Sequence, residues 1–496
     1  MVEWTNWQKF RAAVDTAGTY FIDPTYKVVP VDNVEIDKFY LSMLALNYVL
    51  RGRILVSGEP GSGKTVSGNI IHALFGHTPV VTANDAQMNC APDQTINDLV
   101  GRLHFGKMGK EGIEQAIWQK SLLFPFIHID ELNRLTETRQ DNLLNGINSG
   151  LWTRFNETIA KGQVPIFATI NNPDNGTFDL IPPIADRFDL MVEAPTGISV
   201  LDLYQADGLE KEVGSIAHGQ IEDLESGLQM LVREFDTVLS DTNMSGREKI
   251  AKVTALRGRT AGYFAGKAIS YQNVKEPGKP FLYQKKNAVY VLTEEEQRAI
   301  RTEIKAIPFN SYALVYFEAV NQEVNNSDLF GWKRVDDPQP KDGVDINFAT
   351  SQVKTGISPR AIARTFDLAR GVAWLAGSPQ VRIQHMQLIL PYVLAHRVRY
   401  QSDFIGMHRL DRRGETLQEK ASLPIYLARC LMSGIDERWQ NSGAKVISQV
   451  IAYRDGKTND LPDLSVDVKD DKGKKQGTYP HPMYRHMQEV RRRQQN

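Results

Sequence analysis

The chain has only two cysteines in 496 residues, Cys90 and Cys430. They stand in no metal-ligand spacing, which excludes a disulfide framework and a cysteine-based zinc site and fits a reducing cytosol. Net charge is also nearly absent, a formal −1, so the molecule as a whole is neither a general polyanion binder nor an acidic tail protein. There is no apolar run of about 18 residues, as a membrane-spanning helix would need. The opening Met1-Val2-Glu3-Trp4-Thr5-Asn6-Trp7 lacks the basic and apolar regions of a secretory signal. No internal repeat is found. What remains is an ordinary soluble composition, expected in the cytoplasm, in a chain long enough for two to four domains.

From about residue 28 to 194, short apolar runs alternate with helical patterns, the signature of an α/β fold with parallel βαβ units. The expected strands are 53–57, 79–83, 124–129, 165–170 and 190–194. The character changes after Pro195. Segment 197–243 holds ten Asp/Glu and two Lys/Arg, and segment 244–290 holds ten Lys/Arg and two Asp/Glu. Within the acidic part, Ile221, Leu224, Leu228, Leu231, Phe235, Val238 and Leu239 keep helical spacing, which predicts a packed amphipathic helix. Beyond 291 the pattern is helical. Thr293 with Glu296 forms a capping box, and Ser358-Pro359 places an N-cap before a proline at the first helical position. Residues 456–480, rich in Asp, Lys and Gly, read as a linker, and the end is basic.

Gly58-Glu59-Pro60-Gly61-Ser62-Gly63-Lys64-Thr65 follows an apolar strand and precedes a helical run that begins at Val66. This is the context of a phosphate-binding P-loop. Glycines let backbone N–H groups curl around phosphate oxygens, and the helix N-terminus adds positive potential. Lys64 is placed to bridge the outer phosphates, and Thr65 offers a hydroxyl to Mg²⁺. Chance would give such a match in about 2% of chains this long, and the strand–helix context lowers that further. The apolar run 124–129 ends in Asp130-Glu131. There Asp130 is expected to hold Mg²⁺ through water, and Glu131 to polarise the attacking water. Asn171 and Asn172, before Pro173, end the next strand, where an asparagine can bond the attacking water or the γ-phosphate; an Asn-Pro turn is the plainer alternative. Asp186-Arg187-Phe188 follows. An arginine there can stabilise charge on a nucleotide bound elsewhere, or sit in an ordinary surface ion pair.

Together these motifs resemble the AAA+ superfamily and, within it, the MoxR group of the helix-2-insert branch. Asp130-Glu131-Leu132-Asn133-Arg134 resembles that group's D-E-I-N-R, and Ala168-Thr169-Ile170-Asn171-Asn172-Pro173 its A-T-x-N-P, with one extra residue. Asp186-Arg187-Phe188 resembles its D-R-F, and Gly356-Ile357-Ser358-Pro359-Arg360-Ala361 its G-A-S-P-R-A; 381–397 resembles the last lid helices. The resemblance covers about 28–195 and 291–398. It implies a P-loop AAA+ α/β core with a five-stranded parallel sheet, then a helical lid and a mostly helical C-terminal region. The expected segments are a lead-in, 1–27; the core, 28–196; an acidic-then-basic insertion, 197–290; the lid, 291–400; a helical extension, 401–455; and a polar, basic tail, 456–496.

The resemblance further implies ATP and Mg²⁺ as cofactors and a hexameric ring of identical subunits. Asn172 would be sensor 1, with Asn171 the close alternative. Arg187 would be an arginine finger toward the neighbouring subunit, and Arg360 would be sensor 2. Inserts at about 104–112 and 151–164 would face the ring's pore. MoxR proteins remodel or activate client proteins, often with a von Willebrand factor A-domain partner. The alternative is a nucleic-acid motor of helicase or restriction type, possibly using GTP. Asn171-Asn172-Pro173-Asp174 superficially fits N-x-x-D. The basic segment also interleaves Tyr263, Phe264, Tyr271, Phe281, Tyr283 and Tyr290, as a single-strand platform would. Pairing of that segment with the adjacent acidic one is the preferred reading.

Overall fold

The computed structural model describes residues 5–18, 29–31, 34–36, 38–195, 227–267, 290–325, 348–408, 423–440, 444–462, 465–469 and 474–495. The chain divides into two compact units. One holds residues 1–29, 35–188 and 193–303; the other holds 30–34, 189–192 and 304–496. No helix among the described residues is long and apolar enough to cross a membrane.

The chain opens with α1 (Asn6–Gly18), β1 (Val29–Val31), β2 (Val34–Ile36) and α2 (Phe39–Val49). Helix α2 is buried along its whole length, as a helix apolar on every side must be. There follow β3 (Arg53–Ser57), α3 (Lys64–Gly76), α4 (Val80–Asp85), β4 (Met88–Asn89), α5 (Ile96–Leu99), β5 (Gly101–Leu103), α6 (Phe105–Glu111) and β6 (Ala116–Trp118). Next come β7 (Ile127–Asp130), α7 (Glu137–Ser149), β8 (Leu151–Arg154), β9 (Glu157–Ala160), β10 (Ile166–Ile170), α8 (Pro182–Ala185) and β11 (Leu190–Glu193). A five-stranded parallel sheet has the order β11-β3-β10-β7-β4. Its centre is β10, paired in register with β3 (Ile166 to Arg53) and with β7 (Ile166 to Ile127). Every residue of β10 is buried, which is why this strand, Thr169 apart, reads as an apolar run rather than an alternating one. The crossovers leave the C-terminal ends of β3, β7 and β10 side by side, where a doubly wound sheet binds its ligand.

One expected strand is misplaced. Residues 79–83 are not extended; Val80–Asp85 is helical, and the edge strand is Met88–Asn89, paired with Ile129 and Asp130. The β-branched Val80-Val81-Thr82 favours a strand locally. Tertiary contact overrides this: Thr82 and Ala83 are buried, and Asn69 of α3 donates its amide to Asn84 at 2.9 Å. The insert at 104–112 is a short helix between the paired strands β5 and β6, and the segment 151–164 contains the β8–β9 hairpin.

Helix α9 (Gln229–Ser240) buries Leu231, Phe235, Val238 and Leu239 on one face, with Leu228 at its start; Ile221 and Leu224 lie outside the described residues. It pairs with α10 (Gly246–Lys267). One ion pair joins the acidic and basic segments here, Arg259 forking onto Glu234. Other cations of α10 bond elsewhere: Arg257 donates to the Gly76 carbonyl at 2.6 Å and to Glu294 at 3.0 Å, and Lys249 donates to the Leu239 carbonyl at 2.8 Å. Helix α11 (Glu294–Ala306) begins with the Thr293–Glu296 capping box, bonded in both directions.

In the second unit, α12 (Ser311–Asn325) is followed by α13 (Pro359–Leu375), α14 (Ile383–Leu394), α15 (Ser402–His408), α16 (Leu423–Arg438) and α17 (Ala444–Arg454). The Ser358 hydroxyl caps α13 by accepting from the Ala361 N–H at 3.1 Å. The stretch read as a linker contains an antiparallel hairpin, β12 (Ser465–Lys469) and β13 (Lys475–Pro480), before α18 (Pro482–Gln495). Polar composition hid it, because its anchor lies elsewhere in sequence. His481 and Met483 are buried, and His481 Nε2 lies 3.0 Å from Glu323 of α12.

Glu323 is 1% exposed and also receives the Arg438 guanidinium, with Nη2 at 2.5 Å. Burial alone would raise its pKa; Arg438 and His481 more than offset that and hold the carboxyl down at about 2. Such a depressed acid stabilises the fold fully above its unfolded value, and the contribution is lost as pH falls toward 2. Glu323→Ala is therefore expected to cost about 3–5 kcal/mol, because it strands a buried guanidinium. A urea titration at pH 7 followed by tryptophan fluorescence checks this. The wild-type advantage over the variant should shrink between about pH 4.5 and pH 2.

Candidate nucleotide site

Strand β3 delivers the chain to a loop whose crest, Pro60 and Gly61, is exposed, while Glu59, Ser62 and Gly63 are half-buried. Ser62 folds back, its hydroxyl donating to the Glu59 carbonyl at 2.8 Å. Gly63 caps α3 in the left-handed region, φ 76°, where a side chain would be strained. Helix α3 then starts with Lys64, Thr65 and Val66, so its N-terminal N–H groups open toward the loop. Lys64 is 6% exposed. Its ammonium donates to the Gly58 and Glu59 carbonyls, 2.8 Å each. Burial lowers its pKa, opposed by Asp130, Glu131 and Glu59.

Asp130 closes β7 directly across from the loop. Its Oδ1 accepts from the Thr65 hydroxyl at 2.9 Å and from the Thr169 hydroxyl at 2.6 Å. Thr169 in turn accepts the Glu131 N–H at 2.8 Å. One β10 hydroxyl thus sets both acids. Glu131 itself sits at φ 54°, a region few non-glycine residues occupy and one typical of functional sites. Its Oε1 accepts the Asn171 amide at 2.5 Å, and its Oε2 lies 3.3 Å from Arg134 Nε. Asn133 exchanges two bonds with the Asn171 backbone, at 3.0 and 3.1 Å, and so fixes that residue at the end of β10.

Lys64 stands on the loop carbonyls, and beside it Thr65, Asp130 and Glu131 join, through Thr169, in one contiguous network with Asn171. Asn172 is the next residue along and is half-buried. Thr169, Asn133, Arg134 and Asp174, which stand in the quoted motifs without a role around the two acids, join them here through the pairing of β7 and β10. Behind the site, His128 of β7 is fully buried against Asn69 at 3.0 Å, and burial pulls its pKa down to about 4, leaving a neutral ring beneath the two acids at physiological pH.

Arg187 follows α8. It donates to the Pro183 carbonyl at 3.2 Å and lies 3.7 Å from Asp186. Arg360, in the second unit, is the second residue of α13 and half-buried. One turn on, Arg364 pairs with the buried Asp189 at 3.2 Å, and Arg397 donates to the Asp189 carbonyl at 3.1 Å.

A hydroxyl and a carboxylate oxygen in direct contact, Thr65 and Asp130, suit a hard cation that keeps most of its waters and takes its other ligands from phosphates. Among the described residues no cluster of three or more His, Cys, Asp or Glu competes as a metal site.

Residues 348–417 match the AAA lid domain family. No curated protein matches the chain. A crystal structure of a protein from Cytophaga hutchinsonii, provisionally named an ATPase, resembles the fold with a TM-score of 0.49 and 15% identity, over 86% of this chain and 94% of that one. The five-stranded parallel sheet with its helices, followed by a helical region that matches the AAA lid domain family over residues 348–417, is the fold arrangement of an AAA+ core and lid.

Proposed function

We propose that this chain hydrolyses ATP at the Gly58–Thr65 loop and uses the energy to remodel a client protein. The observation that carries the reading is the unbroken network from Thr65 through Asp130 and Thr169 to Glu131 and Asn171. It joins a phosphate loop to a carboxylate able to take a proton.

In this reading Lys64 exchanges its two loop carbonyls for phosphate oxygens, and the α3 N-terminus adds its dipole. Thr65 and Asp130 would hold Mg²⁺, which when bound would neutralise charge on the outer phosphates. Glu131 orients a water and accepts its proton as the water oxygen bonds to the γ-phosphorus. The bond from that phosphorus to the β,γ-bridging oxygen breaks, and ADP leaves with the electron pair. Asn171, rather than Asn172, takes the sensor role, because its amide touches the base. Adenine remains the proposed base. Asp174, which suggested guanine, has both carboxylate oxygens on Arg134.

Lys64→Ala is expected to abolish nucleotide binding, because the phosphate charge loses its main counter-charge. Fluorescent ATP titration checks this, and wild-type affinity in the variant would remove the loop from the account.

For the target, a protein client is favoured over nucleic acid. Phe264 is core, Tyr290 donates to Glu296, and Arg257 and Arg259 are held by intramolecular partners. Tyr271, Phe281 and Tyr283 lie outside the described residues. By contrast α6 presents Phe105 at 77% exposure and Met108 at 45%, suited to apolar segments of an unfolding client. A cytoplasmic hexameric ring, with α6 and the β8–β9 hairpin toward its pore and a von Willebrand factor A-domain partner, completes the proposal by resemblance. ATPase rates with a denatured protein, DNA and RNA test it: stimulation by the protein alone supports the reading, and stimulation by nucleic acid alone overturns it.

A further inference from the structure

Glu131 is 41% exposed at its side chain, so a free carboxylate there would sample several rotamers. Two donors restrain it, one on each oxygen: Asn171 from β10 and Arg134 from the turn after β7. Arg134 is itself clamped. Its Nη1 and Nη2 meet the two oxygens of Asp174 at 3.2 and 3.0 Å, a bidentate fork that leaves the Nε edge for Glu131. Asp174 is pinned in turn. Its Oδ1 accepts the Gly176 N–H at 2.7 Å, and its N–H donates to the Thr177 hydroxyl at 2.7 Å. The loop closes so tightly on the guanidinium that a Cβ at Gly176 would lie 2.5 Å from Arg134 Nη1. Asp174-Asn175-Gly176-Thr177 thus forms a socket for an arginine.

We propose that Arg134, held in the Asp174–Gly176 socket, is a positioning residue for Glu131. This rests on the hydrolytic reading above. The guanidinium touches neither phosphate nor water in the proposal. It fixes the direction of the base, and Asp174 acts only through Arg134. Lysine cannot substitute, because one ammonium lacks the planar fork that spans both carboxylates.

The test is steady-state ATP hydrolysis by the full chain carrying R134Q, R134K, D174N, G176A or R134Q/D174N, with binding of a non-hydrolysable ATP analogue measured in parallel. A misaligned base is expected to lower kcat about 10–100-fold, with KM and analogue affinity within about twofold of wild type. R134K should not rescue, and G176A should act in the same direction. The double variant should be no slower than R134Q, because both changes break one arrangement. Wild-type kcat in R134Q, or multiplicative losses in the double variant, overturns the proposal. D174N, a conservative change at a half-exposed site, keeps the test open should R134Q fold poorly. Glu131→Gln run alongside separates the two claims. If it hydrolyses normally, the reading of the site falls; if it is dead while R134Q is normal, only the positioning role falls.

Discussion

Glu131→Gln is expected to bind ATP with wild-type affinity and to lose turnover by about 10²–10⁴-fold, the range supplied by a positioned general base. The amide is nearly isosteric. Its oxygen can still accept from Asn171 or Arg134, so the pocket around Thr169 and Asp130 should persist. What it cannot do is take a proton from water. The change should therefore appear in kcat and in single-turnover phosphate release, not in the affinity for labelled ATP. A variant that hydrolyses at near wild-type rate would move the base to another group. Because ATP stays bound, the same variant is the form in which an assembled ring should accumulate, and sedimentation with ATP checks that.

Arg187→Ala is expected to bind ATP normally and to hydrolyse it about 10³–10⁵-fold more slowly, the factor associated with an arginine supplied to another subunit's nucleotide. Arg187 comes after α8, tied by its own neighbours Pro183 and Asp186. A side chain so placed at the end of a short helix is proposed to serve an adjoining subunit in a closed head-to-tail ring, with six subunits the family expectation. The decisive form of the test mixes two inactive chains. Lys64→Ala offers a dead pocket and an intact Arg187; Arg187→Ala offers the reverse. Partial recovery of phosphate release in mixed rings is the expected result. No recovery, with mixed rings demonstrated by crosslinking, removes Arg187 from that role.

The loop around Gly63 was legible because glycine at positive φ, lysine and threonine at fixed spacing have few other uses. Asp130 and Glu131 were legible because an apolar interior strand must end where the loop is, and two acids there need a reason. The capping residues Thr293 and Ser358 were legible because caps are local chemistry. The edge strand was not. The run 79–83 has strand propensity, yet α3 packing makes it helical, and the true edge is two residues long. Nor was the hairpin 465–480, whose anchor, the buried Glu323–His481 contact, spans 158 residues. Asn171 and Asn172 differ by one residue of phase at the end of β10, and sequence alone does not say which amide meets Glu131; in the paired sheet it is Asn171. The Arg134–Asp174 clamp joins positions 40 apart and carries no periodic signal at all.

The central claim is magnesium-dependent ATP hydrolysis at this loop, and phosphate release by the purified full chain tests it most directly. ATP should yield ADP and phosphate with Mg²⁺ present, release should stop when the cation is chelated, and Lys64→Ala and Glu131→Gln should both be silent for different reasons, one without binding and one with it. Release that persists in both variants, or a wild-type chain that binds ATP with Mg²⁺ and never cleaves it under any assembly condition, would contradict the account.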